Sequence, residues 1–220
     1  IIVNHLTKKY RLGEIREESL KQKLGHWLRL QRKPIKTVKE FHALNNLSFQ
    51  VDQGEVLGIV GHNGAGKSTL LKVLSRITEP TTGEAHIYGR VGTLLEIGTG
   101  FHPDLTGLEN IFLNGAILGM HYQEIQQKRD EIIAFSGIEK FIHTPVKYYS
   151  SGMTVRLAFS VAAYLQADII FLDEVWGAGD QEFARKSITK MKSIVKSGRT
   201  VVVISHDLDL LKELCTRCLW

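Results

Sequence analysis

The sequence predicts an α/β fold in one domain, a mainly parallel sheet covered by helices on both faces. Three observations lead there. The runs Val56–Val60, Ile169–Leu172 and Val201–Ile204 are short and apolar without polar alternation, the pattern of strands buried on both sides. Helix-like stretches separate them, as a sheet of parallel strands requires. The first run passes directly into a glycine-rich loop and then into a helical segment, Lys67–Leu74. A chain of 220 residues with 43% hydrophobic and 23% charged side chains has enough apolar material for one core and is not a disordered segment.

Taken in order, Ile1–Leu6 reads as a short strand. Residues 11–40 are polar and basic, with one helical stripe at Leu20, Leu24, Trp27 and Leu28 that Pro34 terminates. Alternation returns at Leu47, Phe49 and Val51, which predicts a strand over Leu44–Val51 and a turn at Asp52-Gln53-Gly54. Gly83–Tyr88 predicts another short strand. Residues 104–165 are mostly helical, with breaks near Gly119, Gly137 and Pro145, before the two apolar strands that close the pattern.

Composition excludes several classes. The longest near-apolar run, Leu157–Leu165, is far short of the roughly 20 residues of a membrane span, so no segment of this sequence is expected to cross a bilayer. Two cysteines exclude a disulfide scaffold and suit a reducing compartment. No signal peptide is visible. The start without methionine and the end inside an apolar stretch lead us to expect a piece of a longer protein. Net charge is +5, and residues 11–40 alone hold nine Lys/Arg against four Glu, so the excess belongs to that segment and not to the body. Its stripe and surplus cations suit an interfacial helix beside anionic head groups; a solvated amphipathic cover is the alternative.

Gly61-His62-Asn63-Gly64-Ala65-Gly66-Lys67-Ser68 matches G-x-x-x-x-G-K-[ST] in full. Glycines let successive backbone N–H groups turn toward phosphate oxygens, and the helix that follows adds its positive end. Lys67 supplies a cation for the β- and γ-phosphates and Ser68 a hydroxyl for Mg²⁺. Ile169–Leu172 ends in Asp173-Glu174 at the carboxyl end of a predicted parallel strand, where ligands bind in such sheets. Asp173 suits Mg²⁺ and Glu174 suits polarising an attacking water. Cys215-Thr216-Arg217-Cys218 is a lone pair, two ligands short of a zinc site.

With these motifs in place the sequence resembles the ATP-binding cassette (ABC) transporter ATPases over nearly its whole length. Lys147-Tyr148-Tyr149-Ser150-Ser151-Gly152-Met153 occupies the place of the family's LSGGQ signature before a helix at Thr154–Leu165, with Ser150 and Gly152 matching the consensus. Ala178-Gly179-Asp180 resembles the D-loop, and Ser205-His206-Asp207 the switch-histidine loop. Tyr10 resembles the aromatic that stacks on adenine, with Phe41 as its rival. No glutamine stands where the Q-loop belongs; Glu96 or the neighbouring Ile97 falls there, with Glu96 favoured as the polar stand-in. The signature variant, Asp-Glu-Val-Trp-Gly-Ala-Gly-Asp, and the stretch from Leu95 to Asn110 together resemble the polysaccharide-export branch, O-antigen exporters above all, with teichoic acid and capsule exporters as alternatives.

The resemblance implies a P-loop NTPase core with a mixed, mainly parallel sheet, an antiparallel β edge and an inserted helical subdomain at about 96–165. Residues 1–220 would form one nucleotide-binding domain, with 11–40 as a basic insertion. ATP would contact Gly61, His62, Asn63, Gly64, Ala65, Gly66, Lys67, Ser68, Thr69 and Tyr10. Glu174, His206 and Lys67 would be catalytic, and Ser68, Asp173 and Glu96 would serve Mg²⁺. Tyr149, Ser150, Ser151, Gly152 and Met153 would reach ATP held by a second copy, and Asp180 would lie in the D-loop. The implied partners are a second copy of the domain, two copies of a polytopic permease and a lipid-linked polysaccharide, at the cytoplasmic face of a bacterial inner membrane. A cassette ATPase acting on nucleic acid is the rival class; its long coiled coil has no counterpart between Lys67 and Ser150, where no sustained heptads occur.

Overall fold

A computed structural model describes residues 1–12, 39–94, 100–173 and 180–220. Its strands are β1 (Ile2–Leu12), β2 (Lys39–Gln50), β3 (Val56–Ile59), β4 (Thr82–His86), β5 (Val91–Leu94), β6 (Ile169–Asp173), β7 (Thr200–Ile204) and β8 (Arg217–Leu219). Its helices are α1 (Lys67–Leu74), α2 (Gly107–Ile117), α3 (Tyr122–Ser136), α4 (Ser151–Ala163), α5 (Gln181–Val195) and α6 (Leu208–Leu214). Two sheets form, one of five strands in the order β5-β6-β7-β3-β8 and one of three in the order β2-β1-β4. Every pairing in the first is parallel, and both pairings in the second are antiparallel.

The parallel sheet is buried on both faces because its central strands are apolar almost throughout, so the period of two divides one strand between two cores. On β7, Val202 and Ile204 join Ile169 and Phe171 of β6, the α1 leucines and Val3, Leu6 and Leu44 of the antiparallel sheet. Val201 and Val203 turn the other way, with Ile170 and Leu172, into a core shared with α2 to α6. Phe183, Met191, Ile194 and Val195 of α5 fall on one helical stripe and fill that side.

Residues 107–163 form the helical lobe. Thr106 and Glu109 close a capping box at the start of α2, and Gly137 at φ 65° ends α3. Asn110 is fully buried, and its amide donates at 3.0 Å to each of the carbonyls of His102, Leu105 and Thr106, pinning the preceding loop to α2. Phe135, Phe159 and Phe183 meet with ring centroids 5.7–6.3 Å apart, joining α3 and α4 to α5.

Several boundaries depart from the sequence reading. β1 and β2 are longer than predicted, and their ladder continues to Arg11↔Glu40 and Leu12↔Lys39. Those four positions therefore belong to a hairpin, so the basic excursion spans at most 13–38; complementary charges at Arg11 and Glu40, 3.7 Å apart, suit that pairing. β5 and β8 were not foreseen. α4 begins at Ser151, earlier than Thr154, because Ser150 caps it by accepting from the Met153 N–H at 3.2 Å. The stripe at Leu20, Leu24, Trp27 and Leu28, and Glu96, Glu174, Ala178 and Gly179, lie outside the described residues. Among the described residues no helix is long and apolar enough to cross a membrane.

Candidate functional site

β3 and α1 present the glycine loop between them. Gly66 takes φ 94°, and a β-carbon there would stand 2.1 Å from the Ala43 carbonyl oxygen on β2, so both its backbone and its lack of a side chain are required. Gly64 takes φ 82° with nothing within 4 Å of the same position, an open site where only the backbone demands glycine. Lys67 Nζ donates to the carbonyls of Gly61 at 2.8 Å and His62 at 3.1 Å, which folds the ammonium back over its own loop.

A cavity of about 460 Å³ opens over this loop, lined by Asn63, Gly64, Gly66, Lys67, Ser68 and Thr69 together with Phe41, Ala43, Asp173 and His206. Asp173 ends β6 and His206 follows β7, so both sit at the carboxyl ends of neighbouring parallel strands. Next to His206, Asp207 Oδ1 accepts from the N–H groups of Asp209 and Leu210 at 3.0 Å each, which fixes the loop at the start of α6. The cavity thus combines an ammonium and a helix N-terminus for an anion with a carboxylate for a cation. Ser68 and Asp173 are hard oxygen donors on one cavity, a donor set that fits Mg²⁺. Among the described residues no group of three His, Cys, Asp or Glu forms a closed metal site.

Phe41 lines the cavity, whereas Tyr10, its cross-strand partner on β1, is not among the lining residues; Lys8 Nζ stands 5.2 Å from the Tyr10 ring centroid. Nor are Tyr149, Ser150, Ser151, Gly152 and Met153 among them. They form the capped start of α4 elsewhere on the molecule, where Ser151 is exposed. Burial pushes the Tyr149 phenol up from its ordinary value, and its Oη donates to the Phe141 carbonyl at 2.7 Å. Asp180 caps α5: the Phe183 N–H it accepts, and then Arg156 nearby, hold its carboxyl below the usual range.

The family model described as "ABC transporter" matches residues 44–177. The chain belongs to the ABC transporter family. A protein named O-antigen export system ATP-binding protein RfbB, from Myxococcus xanthus, is 42% identical over all of this chain and 51% of its own length. A Klebsiella pneumoniae protein of the same name is 38% identical over 99% of this chain and 87% of its own length. Teichoic acids export ATP-binding protein TagH of Bacillus anthracis is 42% identical over 98% of this chain and 38% of its length. The chain thus spans only about half the length of the first of these relatives. Among solved structures, the dimeric ATP-binding cassette MJ0796 bound to ADP and Pi superposes with a TM-score of 0.69 at 24% identity, over 95% of this chain and 89% of that one, a likeness of fold.

Seen as an ABC transporter domain, the chain brings Asn63, Gly64, Gly66, Lys67, Ser68, Thr69, Asp173 and His206 to one cavity, all of them foreseen. Gly61, His62 and Ala65 belong to the same loop, where the Ala65 N–H donates to the His62 carbonyl at 3.1 Å. Ala43, on the cavity wall, was missed, because it takes part through a backbone carbonyl, which no side-chain pattern signals.

Proposed function

We propose that this domain binds and hydrolyses ATP to drive export of a lipid-linked cell-surface polysaccharide, most closely of the O-antigen type, through a separate membrane permease. The observation that carries the ATP part is the single cavity holding the phosphate loop, Asp173 and His206. Support for the cargo is the set of relatives named for O-antigen and teichoic acid export.

In this reading loop N–H groups and the N-terminus of α1 hold the phosphates, and Lys67 leaves the Gly61 and His62 carbonyls to bridge β- and γ-phosphate oxygens. Ser68 and Asp173 would hold Mg²⁺, which when bound would supply charge stabilisation to the phosphates. His206 faces the γ-phosphate, and Glu174 polarises the attacking water. Phe41 is the better placed aromatic for the base, since it lines the cavity. The signature segment lies away from its own loop, as it must if it completes a site on a second copy. Two copies then sandwich two nucleotides, and hydrolysis reopens them and moves a polytopic permease at the cytoplasmic face of the inner membrane. Glu96 stays the proposed stand-in at the Q-loop.

Co-reconstitution with the permease in lipid vesicles tests this reading. ATP turnover should rise with lipid-linked polysaccharide, and sugar should cross the bilayer only with hydrolysable ATP. Tight, salt-sensitive binding to nucleic acid with no response to polysaccharide would instead favour the rival class.

A further inference from the structure

The Cys215-x-x-Cys218 pair, absent from the nucleotide chemistry, is brought together by the fold. Cys215 follows α6 and is partly buried, and Cys218 lies on β8 and is exposed. β8 pairs Cys218 with Gly58 of β3, the strand that leads into the phosphate loop. Both sulfurs converge over that glycine: a β-carbon on Gly58 would stand 2.9 Å from Cys218 Sγ and 3.0 Å from Cys215 Sγ. Gly58 lies within a parallel strand and has no positive φ, so its backbone does not demand glycine. Space for two thiols does.

We propose that Cys215 and Cys218 are a reversible dithiol–disulfide modification site, closed by a small-molecule disulfide, and that closure slows ATP turnover. The turnover part rests on the ATPase reading above.

The two thiols are unequal, which sets the order of events. Burial, reinforced by Cys218, pushes the Cys215 thiol up to about 12, so it is a poor first nucleophile. Exposed Cys218 reacts first. Its thiolate attacks one sulfur of the small disulfide, forms a mixed disulfide and expels one thiolate. Cys215 then gives its proton to solvent, attacks Cys218 Sγ and expels the second. Two protein thiols lose two electrons, and one small disulfide becomes two thiols.

The bond would couple to the site through both neighbours of the pair. Thr216, between the cysteines, donates its N–H and Oγ1 to the Val56 carbonyl on β3 at 3.0 and 3.1 Å. At the other end of α6 stands Asp207, next to His206. Drawing the end of α6 onto β8 therefore shifts the base of the phosphate loop and the histidine loop together.

The test is incubation of the full chain with oxidised glutathione, followed by peptide mass spectrometry and ATPase assay. The peptide carrying Cys215 and Cys218 should lose two hydrogens, turnover should fall at least threefold, and dithiothreitol should restore both. Cys215→Ser should trap one glutathione on Cys218, and Cys218→Ser should leave Cys215 unmodified. A stable glutathione adduct on the unaltered chain without ring closure, two persistently free thiols, or unchanged turnover in fully closed protein would overturn the proposal. Absent turnover in the reduced chain would instead count against the ATPase reading, since the mass shift reads the disulfide independently.

Discussion

Arg156 Nη1 donates to Asp180 Oδ2 at 3.2 Å, linking the helix behind the signature segment to the cap of α5. The same guanidinium donates through Nε to the Ser136 carbonyl at 2.9 Å and lies 5.1 Å from the Phe183 ring centroid. One side chain therefore ties the end of α3, the body of α4 and the start of α5. In the proposed dimer a tilt of the helical lobe would reach Asp180, the proposed D-loop residue, through this link.

Arg156→Ala should lower the melting temperature by a few degrees, since the bond to the Ser136 carbonyl and the contact with the Phe183 ring are both lost. ATP-driven dimerisation should weaken more than nucleotide binding by the isolated chain. Thermal melts, with sedimentation in ATP, check this; equal losses in binding and dimerisation would count against the link.

Gly66→Ala and Gly64→Ala separate space from strain at the loop. Both positions have left-handed φ, which costs a non-glycine residue about 1–3 kcal/mol. Only at Gly66 would an added β-carbon also meet a backbone oxygen, at 2.1 Å. Gly66→Ala should abolish nucleotide binding, while Gly64→Ala should weaken it about tenfold. Fluorescent-nucleotide titration of the two variants decides the order.

How far the fold is legible in the sequence depends on how much apolar contrast each element carries. β3, β6 and β7 are apolar along nearly their whole length, and β3 runs into a loop whose motif is fixed by phosphate chemistry, so strand, loop and helix could be read together. β5, Val91-Gly92-Thr93-Leu94, is four residues long with a glycine inside, and β8 is three with an arginine, so neither carries a periodic signal. β1 and β2 are irregular: His5 and Asn46 take φ 50° and 52°, and their side chains meet at 2.9 Å where the register shifts. That interruption hid the continuation of both strands into the basic region. At the site, the loop and Asp173 were legible because their chemistry demands particular side chains, whereas His206 came only through the resemblance of Ser205-His206-Asp207 to the switch-histidine loop. The choice of Phe41 over Tyr10, and the cavity wall at Ala43, depend on a sheet pairing, which a linear pattern does not encode.

Glu124 should carry part of the acid limb of stability. Burial alone would raise its carboxyl, but the bonds from Arg90 and from the N–H groups of His121 and Gln166 outweigh this and lower it from 4.5. A lowered folded value means stability is present above the ordinary pKa and is lost as pH falls through the lowered one. Glu124→Gln should lower stability at neutral pH by about 2 kcal/mol, the scale of charged hydrogen bonds. It should also flatten the fall in melting temperature below pH 4.5. Melts across that range check both.

Replacing residues 13–38 by an Asn-Gly turn should keep the fold, since Leu12 and Lys39 are already ladder partners and such a turn suits an antiparallel hairpin. Basal ATP turnover should stay within a few-fold while polysaccharide export collapses. Export that survives intact would mean the segment is a passive cover.

The central claim is that the cavity over Lys67 is the ATP site. Magnesium-dependent ATP turnover and ATP affinity, measured in the unaltered chain and in Lys67→Ala, test it most directly. Removing the ammonium should cut turnover by at least about a hundredfold, as loss of one preorganised charge-stabilising donor does, and should weaken binding markedly. Near-normal turnover in folded Lys67→Ala would contradict the account.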